Sequence, residues 1–228
     1  MKIGIIGAGQ IGGTLTRRLR ALGHEVHVAN SRDPRTLASL VTETGAVAVE
    51  AKDAPRGVDL VIVTIPERNV PTLPKGLFAG VPARRRGYRQ LLSARDGRIV
   101  EIESGMPESR WVEQKLGRPV IKAFNNIYAR HLLERGRPRG SPGRIALPVA
   151  GDDVKAKAVV LQLVDELGFD AVDAGGLDDS WRQQPGTPVY TTDLDPEGVR
   201  KALSAARRQR TPDWTATPKS PGNFANPA

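Results

Sequence analysis

Apolar and polar positions alternate along this chain in blocks that switch between strand and helix periods. Ile3-Gly4-Ile5-Ile6 is an apolar run that predicts a buried strand beginning at residue 2. Thr14–Leu22 follows with Leu15, Leu19 and Leu22 at helical spacing. Glu25–Ala29 alternates faces as a second strand, and residues 34–44 read as a helix stopped by Gly45. Ala46–Val49 is a short strand. Val58–Ile65, almost wholly apolar and ended by Pro66, reads as a central parallel strand. Val70–Phe78 reads as a proline-broken helix. Strands are predicted over Val120–Phe124, Arg144–Val149 and Phe169–Asp173, with an amphipathic helix over Lys155–Leu167 closed by Gly168. Strands alternating with helices predict an α/β fold with a doubly wound, mainly parallel sheet: a single domain with a small C-terminal extension. The domain is expected over residues 1–206. Residues 207–228, rich in Pro, Thr, Ser and Asn, read as a disordered tail.

The first strand runs into Gly7-Ala8-Gly9-Gln10-Ile11-Gly12 and then into the helix. This is the setting in which three glycines imply dinucleotide binding and a Rossmann-type fold. Gly7 serves the tight turn, Gly9 lets the backbone approach a pyrophosphate, and Gly12 lets helix pack on strand. The second strand ends at Asn30-Ser31-Arg32, with Arg35 close behind. A site for NAD usually places a carboxylate here to bind the ribose 2′-hydroxyl. Asn30, a hydroxyl and two guanidiniums suit a 2′-phosphate instead, so the expected cofactor is NADP(H). Asp33 is expected to cap the helix that starts at Pro34.

Bulk properties narrow the alternatives. The 228 residues carry a formal net charge of +9, concentrated at residues 84–98, 130–144 and 200–210. These basic stretches lack the interleaved aromatics of a stacking platform, so nucleic acid is not an expected partner. Cysteine is absent, which excludes disulfides and thiolate chemistry. No apolar run approaches the ~18 residues of a membrane span, and no N-terminal signal pattern is present; the expected location is the cytoplasm. His24, His27 and His131 are scattered and are assigned no role. Asp153 is expected to cap a helix rather than bind metal, and no metal is expected. Trp181, Gln183, Gln184 and Pro185 suit the wall of an acceptor pocket and a dimer seam equally, which leaves a homodimer open.

In order and spacing, Ile3–Gly12, Asn30-Ser31-Arg32, Val63-Thr64-Ile65-Pro66, Val120–Asn125, Val149–Asp153 and Asp173–Leu177 resemble the coenzyme F420-dependent NADP oxidoreductases. The resemblance spans about residues 1–200 and is stronger toward a bacterial branch that shares the run Ser180–Pro188. It implies hydride transfer between NADPH and coenzyme F420 or a similar flavin-like acceptor, a small molecule. That reaction needs two stacked rings and excluded water rather than an acid–base pair; no catalytic side chain is assigned. Carried over by motif, Ala8, Gly9, Gln10 and Ile11 would line the pyrophosphate, and Ser31, Arg32 and Arg35 would hold the 2′-phosphate. Ile65 and Pro66 would flank the nicotinamide, and Phe124, Asn125, Ile127 and Ala129 would face the acceptor. Archaeal members carry histidine where Asn125 stands, which opens the acceptor to a flavin, a quinone or an imine.

Residues 83–93 depart from the pattern. A sheet strand is expected there, yet Arg84, Arg85, Arg86 and Gly87 do not suit a strand buried on both faces. Relatives in the resembled family carry a Val-Val-Asp-Thr-x-Asn-Tyr-Tyr-Pro pattern, which a one-base shift of reading frame over Arg84–Ser93 would restore. The other reading is an inserted basic surface loop. If the residues stand as written, a missing or distorted central strand is expected. The alternative function is then an NADPH-binding sensor that has lost catalysis.

Overall fold

The computed structural model describes residues 1–79 and 99–208, together with the backbone of Arg86–Tyr88. The expected tail, apart from Arg207 and Arg208, and the remainder of the basic segment lie outside the described residues. Six strands, β1 (Lys2–Ile6), β2 (Glu25–Ala29), β3 (Val47–Ala48), β4 (Leu60–Val63), β5 (Arg86–Tyr88) and β6 (Ile121–Lys122), form a parallel sheet in the order β3-β2-β1-β4-β5-β6. The order reverses between β1 and β4, which is where open α/β sheets bind ligands. The doubly wound, mainly parallel architecture expected from the sequence is therefore observed.

β1 is central because its side chains are apolar on both faces. Ile3 and Ile5 are fully buried, in register with Leu60 and Ile62 of β4 on one side and Val26 and Val28 of β2 on the other. Helix α1 (Gln10–Ala21) covers one face with Ile11, Leu15 and Leu19. The other face carries Val61, Val63 and Val58 against Trp111 and Val112 of α4 (Glu108–Leu116). The remaining helices are α2 (Ala38–Thr44), α3 (Val100–Glu103), α5 (Ala129–Glu134), α6 (Val154–Glu166) and α7 (Pro196–Ala205).

Four local expectations are corrected. α1 starts at Gln10, not Thr14, because the buried glycine pair Gly12-Gly13 is inside the helix, where low helical propensity hid it. The expected helix over Val70–Phe78 is a 3-10 segment, Glu67–Thr72, followed by turns; Pro71 and Pro74 withhold the N–H groups an α-helix needs. The sheet does not lack its fifth strand. The backbone of Arg86–Tyr88 pairs in parallel with Val61–Val63, and Gly87 and Tyr88 pair with Ile121 and Lys122. Finally, β7 (Ala146–Val149) and β8 (Asp170–Asp173) form a separate two-stranded parallel sheet. It meets β6 through an antiparallel bridge, Lys122 with Ala150. β7 therefore runs against β6, and Gly151 lies beside Ile121 and Val120.

α6 shows why these elements hold. Val160, Leu163 and Val164 face the core, and Asp153 accepts from Lys155 N at 2.9 Å and Ala156 N at 3.0 Å, as the N-cap expected of it. Asp153→Ala is expected to cost about 1 kcal/mol of stability, read as a lower denaturant midpoint at unchanged slope.

Candidate cofactor site

The site is built where three loops leave the carboxyl ends of β1, β2 and β4. Gly7 has φ +109° and its N–H donates to Ala29 O at 2.8 Å, which ties the glycine turn to the end of β2. Thr64 at the end of β4 closes the turn from the other side. Its N–H donates to Ile6 O at 2.8 Å and its hydroxyl to Gly7 O at 2.6 Å. A Cβ on Gly12 would lie 1.7 Å from Gly7 O, so this glycine is required by the close approach of helix and strand. Gly9 differs: a Cβ there would meet nothing within 4 Å. Gly9 is the N-cap of α1, makes no side-chain cap, and the first turn carries no acidic residue. The helix thus offers uncapped N–H groups and its positive dipole end beneath open space, the arrangement that receives a phosphate. Gly9 and Gln10 are exposed and Ala8 half-buried; Ile11 is buried and leaves its backbone as the part that can face a ligand.

The β2 loop is shaped by Asn30. Its Oδ1 accepts from Arg32 N at 2.9 Å and its Nδ2 donates to Thr36 Oγ1 at 2.9 Å. Asn30 therefore folds the turn that presents Ser31 and Arg32, both exposed. Asp33 caps the next turn by accepting from Arg35 N at 2.8 Å, as expected. The Arg35 guanidinium is paired within its own turn. It forks onto Asp33, with Nε at 3.0 Å from Oδ1 and Nη2 at 2.7 Å from Oδ2, and holds that carboxyl below its usual range. The turn's carboxylate is neutralised, and Ser31 and Arg32 remain to meet an anion.

Ile65 and Pro66 are half-buried at the β4 exit, and Ile65 packs against the core on the α4 side of the sheet. Phe124, Ile127, Ala129 and Ala8 belong to the core on the α1 side. Of the acceptor-facing and pyrophosphate-facing residues expected from motif, Phe124, Ile127, Ala129, Ala8 and Ile11 are thus brought to one side, and Ile65 to the other. Phe124 has φ +63°, a left-handed backbone that a side-chain-bearing residue adopts at a cost. It sits where β6 gives way to the buried run Asn125-Asn126-Ile127.

Asn125 is held away from open space. It is 3% exposed and its Nδ2 donates to Gln183 O. Asn126 Nδ2 donates to Val189 O at 3.1 Å. Asn125 thereby anchors a strap, the 3-10 segment Leu177–Gln183, and Asn126 holds the chain beyond it. The strap starts near the amino end of β6, where Leu177 N donates to Asp152 Oδ1 at 2.8 Å, and ends at Asn125 beyond its carboxyl end. Arg110 of α4 clamps it, binding Asp178 Oδ1 at 2.8 Å, Asp152 Oδ2 at 3.0 Å and Glu113. Burial opposes ionisation of Asp152, but the Leu177 N–H and the Arg110 guanidinium outweigh it and hold the carboxyl below its usual value. Burial also opposes the charge on Arg110, and its three carboxylate partners raise its pKa nonetheless. Motif reading missed Glu108 and Lys122, both fully buried and paired at 3.8 Å beside the strap.

The histidines pair with carboxylates: His24 Nε2 with Glu166 at 3.4 Å, His27 Nε2 with Glu25 at 3.3 Å, and His131 Nδ1 with Asp193 at 2.9 Å. Among the described residues no group of three or more His, Asp or Glu side chains is placed to hold a metal ion, and no helix is long and apolar enough to cross a membrane.

The reversed parallel sheet, the glycine turn and the uncapped helix define the class, a Rossmann-type α/β fold. Residues 2–85 match the family described as NADP oxidoreductase, coenzyme F420-dependent, in agreement with the sequence resemblance. The Escherichia coli (strain K12) protein YjhV is 44% identical over 91 residues; the match takes in 40% of this chain and 59% of YjhV. A solved protein of Sinorhizobium meliloti, SMa0349, is 29% identical, with a TM-score of 0.69 over 85% of this chain and 95% of that one. A protein of Arthrobacter sp. FB24, assigned as an F420-dependent NADP-reductase, is 22% identical, with a TM-score of 0.58 over 78% of this chain and 86% of that one. An imine reductase from Pseudomonas sp. shares the fold at 16% identity, with a TM-score of 0.52 over 77% of this chain and 55% of that one.

Proposed function

We propose that this protein transfers hydride between NADP(H) and coenzyme F420 or a similar flavin-like acceptor. The observation that carries the reading is the uncapped start of α1 below Gly9, where a side chain would meet only open space. The residues present fit the cofactor. Backbone N–H groups from Ala8 to Ile11 hold the pyrophosphate, with Gly7 and Gly12 fixing the turn. Ser31 and Arg32 hold the 2′-phosphate, while Arg35 removes the repulsion of Asp33. Asn30 sets the loop rather than touching phosphate. The reduced nicotinamide, when bound, supplies the hydride. Ile65 and Pro66 give its ring an apolar flank, and Phe124, Ile127 and Ala129 exclude water on the acceptor side. Asn125 acts through the strap that it anchors. The match of residues 2–85 to the F420-dependent NADP oxidoreductase family supports the choice of NADP and of F420.

The test is a titration of purified full-length chain with NADPH, followed by an acceptor panel containing F420, FMN and riboflavin. NADPH is expected to bind at micromolar concentration and to be oxidised when F420 or a flavin is added. Binding without oxidation by any acceptor would instead make the chain a sensor of NADPH. No binding would remove the reading.

A further inference from the structure

The buried polar residues are not spread evenly. Glu108 and Ser109 of α4, Lys122 of β6, Asn125 and Asn126 beyond it, and Ser180, Gln183 and Gln184 around the strap are all buried. They lie on elements joined directly: Lys122 pairs with Glu108, Asn125 donates to Gln183 O, and Arg110 reaches Asp178. Within this layer several groups carry no hydrogen-bond partner among the described residues. They are both side-chain amide atoms of Gln183, Ser180 Oγ, Trp181 Nε1 and Asn126 Oδ1. Gln183 and Ser180 are fully enclosed. A buried polar atom without a partner destabilises a fold, so several in one place mark room for a partner that the described residues do not supply.

The chemistry of the unpaired set is specific. It offers donors (Gln183 Nε2, Ser180 Oγ, Trp181 Nε1) and acceptors (Gln183 Oε1, Asn126 Oδ1), all neutral. The cations of the layer are engaged by carboxylates, Lys122 by Glu108 and Arg110 by Glu113, Asp152 and Asp178. Such a layer suits a neutral edge of alternating N–H and C=O groups and does not suit a carboxylate or a phosphate. Gly175 (φ +84°) and Gly186 (φ +83°) bracket the strap in left-handed backbone.

We propose that Gln183, with Ser180, reads the cyclic amide or imide edge of the hydride acceptor's ring, and so selects a flavin-type heterocycle over a hydroxy acid or imino acid. This rests on the functional reading above and names the residue that sets its acceptor.

The experiment compares wild type with Gln183→Met, which keeps volume and removes both amide groups. NADPH, riboflavin and F420 are titrated separately, and the melting temperature is measured. The expected result is unchanged or raised melting temperature, NADPH affinity within twofold of wild type, and riboflavin or F420 bound about tenfold more weakly. An unchanged ring affinity would overturn the proposal. So would a wild type that binds NADPH but neither ring, with the functional reading left standing. A wild type that binds no NADPH would overturn both.

Discussion

Gly12→Ala is expected to unfold the nucleotide site, and Gly9→Ala to empty it without unfolding anything. At Gly12 the added methyl carbon would sit 1.7 Å from Gly7 O and 2.6 Å from Thr64 Oγ1. The first of these is backbone in a turn already held by Ala29 and Thr64, so no flexible group can yield. Overpacking of this kind costs about 3 kcal/mol, a fall of roughly 10 °C in Tm for a domain of this size, and NADPH binding should go with it. At Gly9 the methyl would meet nothing in the protein, so Tm should hold. The same methyl would stand where a pyrophosphate approaches the helix start, so NADPH affinity should fall at least about tenfold. Calorimetry of both variants decides the matter. Equal Tm losses, or intact NADPH binding by Gly9→Ala, would sink the division of labour between the two glycines.

Arg32→Glu should weaken NADPH by about a hundredfold while changing NADH only a fewfold. The reversal replaces a charge-assisted donor with a like charge beside a dianionic phosphate. The exposed loop makes the effect local, because Asn30 folds the turn through its own side chain and is untouched. Equal losses for the two cofactors would remove Arg32 from the 2′-phosphate contact. Arg35 should act in the same direction by another route. Its guanidinium is spent on Asp33, so its loss uncovers a carboxylate in the loop.

These two loops are the parts of the site most legible in the sequence, because local chemistry determines each of them. A glycine at φ +109° and a glycine under a helix are demanded by the turn itself, and an asparagine that bonds two residues onward shapes its own loop. The central strands were legible for a similar reason. Val61, Ile62 and Val63 are buried on both faces and read as an unbroken apolar run. What could not be read was set by distance along the chain. Asn125 meets Gln183 across 58 residues, and Arg110 meets Asp178 across 68. No period or motif announces such pairs. Arg35 illustrates a smaller point: its charge was legible, but its pairing with the carboxylate two residues away was not. The β5 backbone shows the converse, since ladder hydrogen bonds form between main chains, and Arg86–Tyr88 takes its place between β4 and β6.

The antiparallel bridge between Lys122 and Ala150 makes the chain from Gly176 to Gln183 a ruler. Because β7 runs backwards, that segment sets out from the far rim of the sheet and must span the whole of β6 to deliver one amide to the opposite rim. A 3-10 turn advances about 2 Å per residue, so deleting a single residue there would leave the amide short by more than any hydrogen bond can stretch. Homologues that keep the glycine turn yet differ in this spacing should accept the same nucleotide and refuse the same ring.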